Sequence, residues 1–273
     1  TDNIRGTGLL YPNGNDLQNQ DSQVTSFDSD GFSLAYNTGQ NVKFNKSGGN
    51  YIAWAWKAGN TWQSNIDGTI PSVTNTNTAN GFSIVKWNST SSASDTIGHG
   101  LSSKPDVVLY KKLSANGSWF WYTDVIDGSW DELILNSNDA KSDFAGTYAT
   151  STTFKSVTSS AGAEWISYCF HSVAGYSKFG TYTGNGSTQS ITGLGFQPDW
   201  LLIKQTNGSN SWRIFDSARG LSSPQTLFAD LNSVEDSESN TVSSFDSDGW
   251  TMGSQQGVND NGDTYIYMAI KMN

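Results

Sequence analysis

The feature that most constrains this chain is that it repeats itself. The stretch Gly100-Leu-Ser-Ser-Lys-Pro-Asp-Val-Val-Leu-Tyr-Lys111 matches Gly193-Leu-Gly-Phe-Gln-Pro-Asp-Trp-Leu-Leu-Ile-Lys204 without a gap. The register continues, with Ser118-Trp119 against Ser211-Trp212 and Tyr122 against Phe215. A second motif, Val24-Thr-Ser-Phe-Asp-Ser-Asp-Gly-Phe32, nearly equals Val242-Ser-Ser-Phe-Asp-Ser-Asp-Gly-Trp250. A third occurs three times: Tyr51-Ile-Ala-Trp-Ala-Trp-Lys57, Trp165-Ile-Ser-Tyr-Cys-Phe-His171 and Tyr265-Ile-Tyr-Met-Ala-Ile-Lys271. Fixed-order recurrence of this kind marks an array of one supersecondary unit.

The motif order divides the chain. Residues 1–60 hold the C-terminal half of a first copy, including Arg5-Gly6, which parallels Arg219-Gly220. Residues 61–81, rich in Asn, Thr, Ser and Gly, read as a linker. Residues 82–175 and 176–273 hold two whole copies. Half a sandwich leaves strand edges and an apolar face uncovered. The first copy is therefore expected to be completed by upstream sequence or, second, by a partner chain.

Within a copy the signals are those of strands. Apolar residues are only 35% of the chain, but aromatics are 13%, and large rings bury much area each. Asn13-Gly14, Asn80-Gly81, Asn116-Gly117, Asn185-Gly186, Asn207-Gly208 and Asn261-Gly262 are hairpin-type turns. In the thrice-repeated motif, alternate residues form one large apolar face: Ile52, Trp54, Trp56; Ile166, Tyr168, Phe170; Ile266, Met268, Ile270. The opposite face is small or polar. The expected fold is all-β: tandem antiparallel β-sandwich repeats, lectin- or jelly-roll-like, the first incomplete.

The net charge of −10 disfavours nucleic acid and anionic membranes, both of which reward basic patches. No apolar run is long enough to insert in a bilayer. The one cysteine, Cys169, rules out an intrachain disulfide framework.

The residues that carry chemistry elsewhere do not assemble into a catalytic pattern here. Cys169 and His171 lie two apart, but the corresponding residues are Ala55 and Ala269, Lys57 and Lys271. A filler and a strand end describe them better than a nucleophile and its base. His99 sits between glycines and reads as structural. Asp131-Glu132 and Glu235-Asp236 are adjacent carboxylates, and adjacency does not place two carboxyls across a scissile bond. Asp28, Asp30, Asp246 and Asp248 fit β-turns, with calcium as the weaker alternative because the twelfth-position glutamate of an EF-hand is missing. No enzyme activity and no cofactor is expected. Trp62, Trp87 and Trp130 align with no other aromatic residue and are the candidates for stacking on glycan rings.

Taken together, Ser26-Phe-Asp-Ser-Asp-Gly-Phe32, Tyr51-Ile-Ala-Trp-Ala-Trp-Lys-Ala-Gly59, Asn80-Gly-Phe-Ser-Ile-Val85, Gly98-His-Gly-Leu101 and Pro105-Asp106 resemble a family of repeat domains in virion proteins of marine bacteriophages. The resemblance implies a non-enzymatic appendage protein of a tail fibre, tail tip or capsid fibre, on the virion surface or otherwise extracellular. Its implied partners are other virion proteins, copies of itself, and a host-surface glycan or protein. The alternative is a carbohydrate-binding module of a secreted or cell-surface bacterial protein.

Overall fold

The computed structural model describes residues 1–19, 23–35, 44–157, 160–221 and 225–272. The first part holds β1 (Val24–Phe27) and β2 (Phe32–Leu34). Next come β3 (Gln63–Asn65), β4 (Ser72–Asn77), β5 (Phe82–Asn88), β6 (Thr96–Gly98), β7 (Val107–Lys112), β8 (Trp119–Thr123), β9 (Asp131–Ile134), β10 (Ser142–Asp143), β11 (Thr153–Lys155) and β12 (Glu164–Phe170). The last part holds β13 (Ser177–Thr183), β14 (Gln189–Thr192), β15 (Trp200–Gln205), β16 (Arg213–Asp216), β17 (Leu227–Phe228), β18 (Val242–Asp246), β19 (Gly249–Met252) and β20 (Thr264–Ile270). The described residues contain no α-helix, and the all-β expectation holds.

Two large antiparallel sheets dominate. One has the order β10-β9-β8-β7-β12-β5-β4-β3, the other β13-β20-β15-β16-β17. The run β5-β12-β7-β8-β9 in the first follows the same path as the whole of the second. In each, the last strand in sequence inserts between the first strand and the Pro-Asp strand, as β12 does between β5 and β7 and β20 between β13 and β15. Small sheets, β6-β11 and β14-β19-β18, cover the outer faces.

Two strands lie within the expected linker, β3 and β4. β3 and β4 extend the eight-stranded sheet beyond β5. Its Asn, Thr and Ser composition reads as loop, yet Ser72, Thr74 and Asn75 are buried against the neighbouring strands. Gly81, at φ +61°, closes the turn from β4 into β5 in the left-handed region that a residue with a Cβ avoids.

Both faces of β12 and β20 are buried, which corrects the single-core face assignment. The face expected to be small and polar lines the sandwich interior of each copy. There Cys169 and Trp165 pack with Ile97 and Phe154, and Tyr265, Tyr267 and Ala269 pack with Trp250 and Met252. The large apolar face lies where the copies meet. Trp121, Leu133 and Tyr168 share a core with Trp200, Leu202, Trp212 and Met268. Each fully buried large side chain contributes about 1.5–3 kcal/mol, so this seam rivals a domain interior.

Polar groups pin the same seam. Lys111 is fully buried, and its ammonium donates to the carbonyls of Asn15 (3.1 Å) and Gly117 (2.7 Å). Lys204 is also fully buried and donates to Asn138 (3.2 Å), Gln205 (2.5 Å) and Gly208 (3.2 Å). The Trp119 indole donates to the Tyr11 carbonyl at 2.8 Å, and the Trp212 indole to that of Ile134 at 3.0 Å. Each of the two whole copies thus inserts one lysine and one tryptophan into carbonyls of the stretch before it.

Candidate interaction surface

The candidates for chemistry are absorbed by the fold. Cys169 is buried, and burial pushes its thiol well above the usual range, so it carries no thiolate. The His171 Nδ1 lies 2.9 Å from the Ser172 carbonyl. His99 is fully buried. Its Nδ1 accepts from the Leu101 amide at 3.1 Å, which leaves Nε2 as the donor toward the Thr150 carbonyl at 3.3 Å. Burial holds this imidazole at about 4, so it is neutral near pH 7. Glu132 accepts from the Tyr122 hydroxyl, and Glu235 pairs with Arg219.

The proposed glycan platform does not form as a unit. Trp87 is buried, stacked on Trp165 at 5.6 Å, with its indole N–H on Ser167. Trp130 is buried against Tyr148, with Lys104 over its ring. An enclosed ring offers no face to a sugar, and Trp87 has an aromatic counterpart after all: Tyr182 of β13 stacks on Tyr265 of β20 as Trp87 of β5 stacks on Trp165 of β12. Trp62 alone is exposed.

Three of the four calcium candidates are engaged in hydrogen bonds of their own turns and loops. Asp28 accepts from the hydroxyls of Ser26 and Ser33, each at 2.8 Å. Asp246 repeats this with Ser244 (2.8 Å) and Thr251 (2.7 Å). Asp248 accepts the backbone N–H of Gly193 (2.9 Å) and Gly195 (2.6 Å). These are turn and loop clasps, which sequence spacing cannot separate from ligand loops. The carboxylates that do converge are Asp127, Asp131 and Asp143, around the Lys141 ammonium at 3.0, 2.6 and 2.7 Å. That ammonium supplies the positive charge the trio calls for.

What stands out instead is a surface left open. Tyr51–Lys57 alternates exposed and half-buried residues along its length, the pattern of a strand. Trp54 and Trp56 point inward, edge-on to Trp200 at 6.2 and 5.4 Å. Yet the stretch joins no backbone ladder among the described residues, contrary to the expected strand. β12 is flanked by β5 and β7, and β20 by β13 and β15; no such pair of strands flanks 51–57 among the described residues. Tyr51 is 52% exposed, whereas its counterparts Trp165 and Tyr265 are 5% and 0% exposed.

The hairpin β1–β2 tells the same story. It has the register of β18–β19, including the bulge after the first residue. On β19 the outer edge pairs with β14; the outer edge of β2 has no partner strand among the described residues. Phe32 is 42% exposed where Trp250 is fully buried. A Cβ on Gly249 would meet the Ile191 carbonyl of β14 at 1.8 Å, whereas one on Gly31 would meet nothing.

Comparison with curated proteins and with solved structures returns no match. The model of a single family, described as Domain of unknown function (DUF7483), matches residues 1–273, and the chain belongs to that family.

Proposed function

We propose that this protein is a non-enzymatic structural module of a bacteriophage virion appendage, a tail fibre, tail tip or capsid fibre, which gives a rigid β scaffold and takes part in host-surface attachment. The observation that carries the reading is the buried seam between copies, where Lys111 and Lys204 and two indoles are spent on carbonyls of the preceding stretch. Polar groups committed in this way fix geometry. The acidic charge suits a surface that repels its own kind, and the motif resemblance supports a location on the virion. Antibody-gold labelling of native particles and cells tests it. Label on discrete projections of particles is the expected result; label confined to cell envelopes or secretions contradicts it.

The second reading, a carbohydrate-binding module, rests on exposed Trp62 alone. Loss of polysaccharide binding in Trp62→Ala would favour it, and unchanged binding would remove that residue from any glycan site.

A further inference from the structure

Strand β13 presents a long free edge. β20 pairs with one side of it along its whole length, and the other side has no partner strand among the described residues. The same edge in the middle copy is taken: β5 pairs with β12 on one side and with β4 on the other. In the third copy the chain passes from β12 to β13 through residues 171–176, too short a stretch to lay down such a strand and turn back. The openness of this edge is thus set inside the chain. We infer that β13 is a self-association edge, which pairs antiparallel with β13 of a second copy about a twofold axis at Thr181.

The backbone groups on that edge are self-complementary. Gly184, just past the strand, donates its N–H to the Asp263 carbonyl and accepts from the Gly262 N–H, both at 2.9 Å. By alternation Tyr182, Gly180 and Lys178 turn their N–H and C=O toward β20, and Ser177, Phe179, Thr181 and Thr183 turn theirs outward. Three of these four are capped within their own copy, wholly or in part. Ser177 exchanges bonds with Val173 at 2.9 and 3.0 Å. The Phe179 N–H donates to the Ser172 hydroxyl at 3.1 Å, and the Thr183 carbonyl accepts from the Gln189 amide at 3.0 Å. Both groups of Thr181, the Phe179 carbonyl and the Thr183 N–H have no partner among the described residues. A twofold axis at Thr181 sets Thr181 opposite Thr181 and Phe179 opposite Thr183. Each free N–H then meets a free carbonyl, and the two side-chain-capped groups fall opposite each other. Any other antiparallel register leaves a free group of Thr181 facing a capped one or none.

The charge distribution favours a second copy as the occupant. The chain carries 25 acidic residues, yet none lies between Ser172 and Pro198, where Lys178 is the one charged side chain. Its ammonium is bound to the Gly193 carbonyl at 2.5 Å. An acidic protein meets least repulsion from its own kind across such a gap. Protected edges carry charges, proline or a bulge; from Phe179 to Thr183, β13 has none of these. Thr181 against Thr181 is a favourable cross-strand pair. The inference goes beyond the appendage reading and does not depend on it.

Sedimentation velocity on the full chain, from about 10 µM to about 1 mM, reads the association, and amide hydrogen exchange locates it. The expected result is a monomer–dimer equilibrium, with the Thr181 and Thr183 amides gaining about tenfold protection as dimer forms. Thr181→Lys and Thr181→Glu each set like charges opposite one another on the axis and should weaken association about fivefold or more. Mixing the two variants should restore it, which also shows that both fold. A parent chain that stays monomeric over the whole range overturns the inference. So does a dimer in which those two amides exchange as in the monomer, and so does a loss in both variants that mixing fails to restore.

Discussion

The Lys111 ammonium donates to the carbonyl of Asn15, and the pair joins the middle copy to the one before it. Lys204 and Asn138 form the same contact one copy later. Burial lowers both lysines to about 8, so the fold tolerates these charges only because carbonyls surround them.

Removing one partner at this seam leaves buried carbonyls without a donor. Lys111→Met is expected to cost about 1–3 kcal/mol while keeping the fold, and Lys204→Met the same. Urea denaturation of each variant measures it. Because the two contacts share no partner, the double variant should lose the sum to within about 0.5 kcal/mol.

Matched substitutions separate the closed copy from the open one. Trp250→Ala removes a fully enclosed ring and should cost about 3–5 kcal/mol. Phe32→Ala, at the same place in the first copy, should cost less than about 1 kcal/mol. Thermal denaturation of both variants checks the contrast. Equal losses would mean that Phe32 is covered in solution.

His99 gives the protein a pH dependence of definite sign. Its folded pKa of about 4 lies below the ordinary histidine value, so between these two the unfolded chain binds the extra proton. Its contribution is fully present above about pH 6.5 and is lost as pH falls toward 4; the loss amounts to roughly 3 kcal/mol at most. Denaturation midpoints across that window should fall in the parent and fall less in His99→Gln.

The buried tryptophans should act as core and not as ligand sites. Trp87→Ala breaks the stack on Trp165 and the bond to Ser167, with an expected cost of about 3–5 kcal/mol. Trp62→Ala should change stability by no more than about 0.5 kcal/mol. Circular dichroism melts of the two variants distinguish these outcomes.

Much of the fold was legible in the residues, because alternation and turn chemistry are local. Strands β7 and β15 fall on the Pro-Asp motifs, and β12 and β20 on the thrice-repeated one. What local pattern could not reveal was which neighbour covers a face. The alternation of Ile266, Met268 and Ile270 marks burial, but only the packing shows that the seam buries them while Tyr265 and Tyr267 face the sandwich interior. Ser72–Asn77 was illegible for a related reason: polar residues become a strand when β5 offers an edge. The open surface was legible only in part. That residues 1–60 carry the C-terminal motifs could be read from motif order, but the exposure of Tyr51 and Phe32, and the empty space at Gly31, needed the structure.

The most direct test of the account is hydrogen exchange on the isolated chain, comparing its three equivalent stretches. Amides of 165–171 and 265–271 should be protected through their ladders, whereas those of 51–57 should exchange at least about a hundredfold faster. Protection of 51–57 equal to that of the other two, in a monomer, would show that the first copy is already closed and would contradict the account.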